Sequence, residues 1–472
     1  MKENPYRQDK EEIRELVRQF QNLKAGRTHA FLDEEAFEKI IDYYDDSEEF
    51  NMALEAAEFA VEQFPYSSAL LLKKADLLIA TRQYRDALDA LQHAEVLDHN
   101  DINLYILKTD AFLALDQPEK AVELLENALQ LFEGNERIEL LFELADVYDD
   151  YEEFDKIFDC LQLILQQEPT NEEALYKICF WTDFTGRNEE SIRLHQKIID
   201  DYPYNELAWF NLGAAYQGMK LYERAIDAYS YAVTIDEKFD YAYRNMGDAY
   251  IRLRKYKDAI EVLERVLELS RPEDVIYEAI GHCYDRMKNY AQARFYYRKA
   301  SHLNQEDSKL YYKIACTYMN EAQWNMAVRQ LEFAMQIHRA QPEYNLAMGE
   351  CKMQLGDYKE AIQHFSSVVR QRPKNVSSWE ALIRCLYVGG FYSEAKEQVG
   401  AALQHTDHKN VFYYYLSAIN FAMRQPKEGL RNLEYALIVV PRQFKKFTEL
   451  DPSLLQRQQV ADLVSRYRKI TR

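Results

Sequence analysis

Between Ala208 and Val233, in AWFNLGAAYQGMKLYERAIDAYSYAV, the apolar positions follow two successive helical periods. Trp209, Leu212, Gly213 and Tyr216 share the first, and Ala225, Tyr229 and Ala232 share the second. Bulky residues crowd one period and small residues punctuate the next. This predicts a pair of helices, with knobs on the first and close-approach points where the second crosses it.

The pattern returns at a step of 34 residues: YRNMGDAY is followed by Ala259, YEAIGHCY by Ala293, and YYKIACTY by Ala327. Units begin at 34, 68, 102, 138, 172, 206, 240, 274, 308, 342, 376 and 410, with one 36-residue step between 102 and 138. Their twentieth position is Ala53, Ala87, Ala121, Ala225, Ala259, Ala293, Ala327, Ala361 or Ala395 in nine units, and Ile157, Ser191 or Gly429 in the others. Tyr216, Tyr250, Tyr284 and Tyr318 are expected to fill the space beside the small contacts. Pro65, Pro169, Pro203, Pro373 and Pro441 all fall at the thirty-second position, where a residue without an N–H ends the second helix.

The period and the W-x-x-L-G-x-x-Y, Ala, aromatic, Ala signature of Trp209, Leu212, Gly213, Tyr216, Ala225, Tyr229 and Ala232 resemble the tetratricopeptide repeat family. The resemblance covers about 34–441 and is sharpest over 206–341. It implies an all-α fold, a right-handed α-solenoid of about twelve tandem helix pairs with capping helices, as in a bacterial-type scaffold or adaptor. The expected organisation is a capping helix over 1–33, an acidic front arm of five repeats over 34–205, a rear arm of seven repeats over 206–441, and a basic capping helix over 442–472. In the last, Leu454, Leu455, Val460, Leu463 and Val464 are expected to cover the final repeat. Bulkier contact residues (Ile157, Ile164, Ser191, Ile198) mark 133–205 as irregular, and unit 410 departs from the pattern at Ser417, Asn420 and Gly429.

Composition agrees with helices: 472 residues hold only 13 Gly and 11 Pro, 47% are apolar, and there are 36 Tyr and 23 Phe. No signal-peptide core or 18-residue apolar run occurs, so the chain is expected to be cytoplasmic. The six cysteines, at 160, 179, 283, 316, 351 and 385, lack C-x-x-C spacing and read as small core residues. Charge is uneven. Residues 1–200 carry 46 acidic and 20 basic side chains, a net of −26, and the remainder carries 33 and 38, a net of +5. Two acidic stretches, DYYDDSEEF and DVYDDYEEF, place Asp45, Asp46, Asp149 and Asp150 at the ends of first helices without the Gly and Glu of a calcium loop.

In the family that the chain resembles, the first helices line a concave groove through their second, fifth, sixth, ninth, twelfth and thirteenth positions. Here that implies Tyr176, Lys177, Asn211, Tyr241, Arg244, Asn245, Arg252, Arg286, Lys309, Tyr312 and Lys313, a cationic and aromatic lining suited to a peptide bearing carboxylates. The carboxylate clamp for chaperone tails is not reproduced: Asp248 and Glu278 stand among Arg244, Lys309 and Lys313 where amides are required. No P-loop, G-x-G-x-x-G, G-x-S-x-G or H-E-x-x-H occurs, and adjacent His282 and Cys283 point to different helix faces. The sequence therefore predicts a non-catalytic scaffold, without cofactor or metal. Its protein partners are expected to be acidic at the central groove and basic at the front arm. Binding of RNA or other nucleic acid by the rear half and the tail is the alternative. Residues 442–472 hold eight basic and three acidic side chains, so weak head-to-tail self-association through Arg466, Arg468, Lys469 and Arg472 is also expected.

Overall fold

The computed structural model describes residues 5–27, 31–407 and 409–470, with side chains from 12 to 467. Among the described residues there are α-helices and two short 3-10 turns, and no strand. They form two compact units, Met1–Ala242 and Tyr243–Arg472, dividing about one repeat beyond the change in charge.

In the first unit, α1 (Pro5–Lys24) precedes the pairs α2 and α3 (Glu34–Asp46, Phe50–Gln63), α4 and α5 (Ser68–Ala80, Tyr84–Leu97), and α6 and α7 (Ile102–Ala114, Pro118–Ala128). The pairs α8 and α9 (Gly134–Asp150, Phe154–Gln167), α10 and α11 (Glu172–Thr185, Asn188–Asp201), and α12 and α13 (Glu206–Gly218, Tyr222–Ile235) complete it. α14 (Asp240–Arg252) lies across the division. The second unit continues with α15 (Tyr256–Leu269), α16 and α17 (Asp274–Arg286, Tyr290–Leu303), α18 and α19 (Ser308–Asn320, Trp324–Ile337), and α20 and α21 (Pro342–Gln354, Tyr358–Gln371). It ends with α22 and α23 (Val376–Val388, Tyr392–His405), α24 and α25 (Phe412–Ala422, Pro426–Val439), α26 (Lys445–Leu450) and α27 (Gln458–Ile470). The helices α2 to α25 are the twelve predicted pairs, and the architecture is an all-α solenoid.

All nine alanines of the twentieth position are fully buried, as are Ile157, Ser191 and Gly429 in the exceptional units. Size complementarity also runs the other way. At the eighth position of the first helix, Gly213, Gly281 and Gly349 leave no room for a β-carbon, because Tyr229, Tyr297 and Phe365 of the second helix press against them. Large residues thus stand on both helices, each facing a small one.

Each first helix ends in one device. Residue fifteen of every unit is left-handed, with φ between 56° and 63° at Glu48, Arg82, Asp116, Glu152, Lys220, Arg254, Lys288, Ala322 and Arg424. Only Gly186, Gly356 and Gly390 supply glycine there. The next amide reaches back across the turn, as from Leu221 to the Tyr216 carbonyl at 2.9 Å, the bond of a Schellman cap. First helices begin on side-chain caps: Asp33, Ser67, Asp101, Asn171, Asn205, Asp307 and Asn375 each accept a hydrogen bond from an amide of the first turn. Trp209 Nε1 donates to the Pro203 carbonyl at 2.9 Å, and Trp379 Nε1 to Pro373 at 2.8 Å, so the same indole ties the same proline turn in both units.

The two-residue insertion shortens α7 to 11 residues and lengthens α8 to 17, with Arg137 donating to the freed Leu129 carbonyl. A cleft of about 700 Å³ opens there, floored by Leu129, Phe132, Leu141 and Leu144. At the N-terminal end, Phe20 of α1 packs edge-on to Phe37 and Phe59; residues 1–4 and 28–30 of the segment expected to cap this end lie outside the described residues.

The C-terminal prediction needs correction. In place of one capping helix, residues 441–470 form two 3-10 turns and two helices, because Pro441 and Pro452 interrupt the helical pattern. Leu454, Val460 and Val464 are buried in the end of the core and Leu463 packs against it, whereas Leu455 is exposed. The polar residues of unit 410 are satisfied in place: Ser417 Oγ donates to the Gly429 carbonyl at 2.8 Å, and Asn420 Oδ1 accepts from Lys396 at 3.1 Å.

Candidate binding surface

Successive first helices touch one another, α4 on α6, α6 on α8 and α10 on α12, whereas second helices meet mainly first helices. The inner face of each unit is therefore built from first helices, and their fifth, sixth and ninth positions lie across from one another. Side-chain pairs confirm the register: Lys73 pairs with Asp42, Lys177 with Asp146 at 3.6 Å, and Lys313 with Glu278.

Of the sequence-predicted lining, Tyr176, Lys177, Asn211 and Tyr241 belong to the first unit and the other seven to the second. Asn211 is a correction. It is 2% exposed, and its Nδ2 donates to the Leu175 carbonyl at 2.8 Å and to His195 Nε2 at 3.2 Å. The sixth position tips inward here because a buried histidine on α11 takes its amide, which also reaches a carbonyl of α10. Tyr176 and Tyr241 are well exposed. Lys177 is engaged by Asp146, by Glu173 at 2.9 Å and by the Phe142 ring.

The cations of the second unit are largely neutralised from within. Arg244 forks onto Glu273 through two bonds of 2.7 Å, and Arg252 pairs with Asp248 at 3.5 Å. Lys313 takes Glu278, and Arg286 Nε donates to the Tyr256 hydroxyl at 3.3 Å. The carboxylates Asp248 and Glu278, out of place for a chaperone-tail clamp, thus serve as internal counter-ions. Lys309 is exposed, Asn245 is half-buried, and Tyr312 packs against the Tyr344 ring at 5.1 Å.

The first unit presents the opposite problem. Burial and the charge of Asp45 raise the Asp76 carboxyl above the usual range, and burial and Asp76 do the same to Asp110. Burial, together with Asp110, Asp146 and Glu139, pushes Glu143 up to about 7. These residues form a row of mutually repelling carboxylates along α4, α6 and α8. Beside them, α10 exposes Tyr176, Phe180 and Phe184 at 61%, 60% and 57%, one aromatic per turn on one face. They stand at the fifth, ninth and thirteenth positions, all of them groove positions of the repeat register; Tyr176 was among the expected lining, and Phe180 and Phe184 were not.

The cysteines are unpaired thiols: Cys160, Cys283, Cys351 and Cys385 are buried and Cys179 and Cys316 half-buried, and burial pushes all six up, Cys160 to about 12. No set of three or more His, Cys, Asp or Glu among the described residues is arranged to hold a metal. No helix of the described residues is long and apolar enough to cross a membrane.

The family model of the tetratricopeptide repeat protein 21 C-terminal ARM domain matches residues 189–351, and a tetratricopeptide repeat model matches 346–408. Among similar solved structures is YrrB, a TPR protein with an unusual peptide-binding site. It is 18% identical over 40% of this chain and 96% of that one, with a TM-score of 0.36. The Cut9-Hcn1 hetero-tetramer of APC/C is 12% identical over 83% of this chain and 97% of that one, at 0.35. The C-terminal part of a TPR repeat-containing protein from Cytophaga hutchinsonii is 16% identical over 54% and 98%, at 0.43. The family assignment rests on the repeat register and the two family matches, not on these superpositions. With a 34-residue step, broken by a single two-residue insertion, carried through twelve helix pairs, the chain is a tetratricopeptide repeat protein.

Proposed function

We propose that the chain is a non-catalytic adaptor or assembly scaffold that holds a segment of a partner protein on the inner, first-helix face of its repeats. Tetratricopeptide repeats generally mediate protein–protein interaction, and the observation that gives this chain its particular reading is the carboxylate row Asp76, Asp110 and Glu143. Like charges held together on an open face repel one another, and a cationic segment laid along them relieves the repulsion. A basic partner at the front arm is therefore the better-supported half of the charge expectation. An acidic partner in the second unit must compete with Glu273 for Arg244 and with Glu278 for Lys313.

Nucleic-acid binding by the basic tail draws less support. Lys446 pairs with Glu380 at 2.9 Å, Lys445 with Glu449 at 3.2 Å, and Arg457 lies over the Phe421 ring. The side chains of Arg468 and Lys469, and Arg472 as a whole, lie outside the described residues. Affinity purification from the native cell, with and without nuclease, separates the readings. A scaffold retains defined proteins in both conditions. Loss of every protein after nuclease treatment contradicts it.

A further inference from the structure

The exposed stripe on α10 sets three large aromatics on the inner face of one helix. Tyr176, Phe180 and Phe184 follow one another at one-turn spacing. Phe180 and Phe184 are backed by Trp181, whose ring stacks on Phe154 at 5.4 Å, while Phe154 meets Phe184 edge-on at 4.7 Å. Phe180 and Phe184 thus form a platform held from behind, with Tyr176 exposed one turn before it. Contiguous exposed apolar surface of this kind marks an interaction site.

Its charge surroundings select the occupant. Lys177, one residue from Tyr176, reaches Asp146 on α8, so the platform lies directly beside the carboxylate row. That lysine is already committed to Asp146 and Glu173 and leaves the row's excess of negative charge in place. Aromatic faces attract cations through the ring quadrupole. Guanidinium does so best, because it can stack on a ring while forking onto a carboxylate. Lysine-rich segments without apolar side chains would use the row and leave most of the platform wet; purely apolar ones would do the reverse.

We propose that Tyr176, Phe180 and Phe184 anchor an arginine-rich amphipathic segment of another protein, whose remaining cations reach Asp110, Glu143 and Asp146 on the two preceding first helices. This rests on the inner face being the binding surface and adds the chemistry of the occupant. Aromatic anchors in the centre of an interface and carboxylates beside them divide the work: the platform sets residence time, and the row sets encounter rate and salt dependence.

The test uses the full chain and three fluorescein-labelled helical peptides of equal length: arginine with leucine, glutamate with leucine, and lysine with serine. Anisotropy titrations are run at low and moderate salt. The arginine–leucine peptide is expected to bind most tightly, and Tyr176→Ser with Phe180→Ser to weaken it at least about tenfold with an unchanged melting transition. If that variant unfolds, Asp110→Asn with Glu143→Gln takes its place, since it relieves repulsion. It is expected to weaken binding and flatten the salt dependence. No binding of the arginine–leucine peptide, equal binding of the glutamate–leucine peptide, or parent-like affinity in the folded variants overturns the proposal. So does self-association of the chain that the same substitutions abolish, because the stripe then belongs to a second copy. If the peptides fail while defined proteins still co-purify after nuclease treatment, the scaffold reading stands and only this occupant is wrong.

Discussion

The ring of Phe365 lies so close to the backbone of Gly349 that a β-carbon on the glycine would stand 2.7 Å from Phe365 Cε1. Glycine at the eighth position and a ring at the twenty-fourth are one packing decision made by two residues. Other units solve it differently: Ala315 accompanies Leu331, both buried, and Ile383 accompanies Val399. Gly349→Ala is expected to destabilise the second unit by about 1–3 kcal/mol through overpacking. Adding Phe365→Leu should recover part of that loss, giving a double variant more stable than the two single costs predict when added. Denaturant titrations of the four proteins measure this; strict additivity contradicts the pairing.

The left-handed residue at position fifteen offers a gain in place of a loss. A non-glycine residue there costs roughly 1–2 kcal/mol of local strain, partly offset by the greater unfolded-state freedom of glycine. Ala322, at φ 56°, carries that strain, whereas Gly356 and Gly390 do not. Ala322→Gly is expected to raise the denaturation midpoint, by about 0.5–1 kcal/mol in stability, and Gly356→Ala to lower it. Equal midpoints contradict the assignment.

Two groups of the first unit give stability opposite dependences on pH. Glu143 titrates near 7 in the fold against an ordinary 4.5, so its stabilisation is fully present below 4.5 and is lost as pH rises through 7. His195 is wholly buried, which lowers it from 6.5 to about 4; its stabilisation is present above 6.5 and lost as pH falls toward 4. The melting temperature should therefore rise as pH falls from mildly alkaline to about 6.5, change little while the two opposed groups titrate together down to about 4.5, and fall below that. Glu143→Gln should remove the rise and let the fall begin near 6.5. Calorimetry across the range checks both limbs, and a parent-like rise in the variant contradicts the role given to Glu143.

Arg244 was expected to line the groove, but its bidentate pair with Glu273 and a side chain only 23% exposed give it a part in the fold as well. Arg244→Ala should cost about 1 kcal/mol, whereas exposed Lys309→Ala should stay within about 0.5 kcal/mol. Thermal unfolding of the single variants distinguishes them, and equal effects contradict the structural role of the pair.

The fold was legible because each repeat restates the same size constraint, so Ala259, Ala293 and Ala327 reinforce one another at fixed phase. The caps were not, since Lys220 or Arg254 in a left-handed turn carries no glycine signal. Asn211 misled because a polar residue at an exposed register position turns inward when a buried histidine takes its amide. Phe180 and Phe184 were legible at the ninth and thirteenth positions of the register but were passed over, because the expected lining was chosen for cations and polar side chains. Arg244 and Lys313 read as binding cations because their counter-ions, Glu273 and Glu278, lie 29 and 35 residues away.

The central claim, that the inner face of the first unit holds a cationic protein segment, is tested most directly by site-specific photo-crosslinking in the native cell. A benzophenone side chain replaces Tyr176 on the inner face in one protein and Val96, exposed on the second helix α5, in another. The account predicts discrete protein adducts from position 176 alone, mapping to arginine-rich peptides and disappearing when Asp110→Asn and Glu143→Gln are added. Adducts only from position 96, or peptides from position 176 that are acidic or nucleic acid in nature, would contradict it.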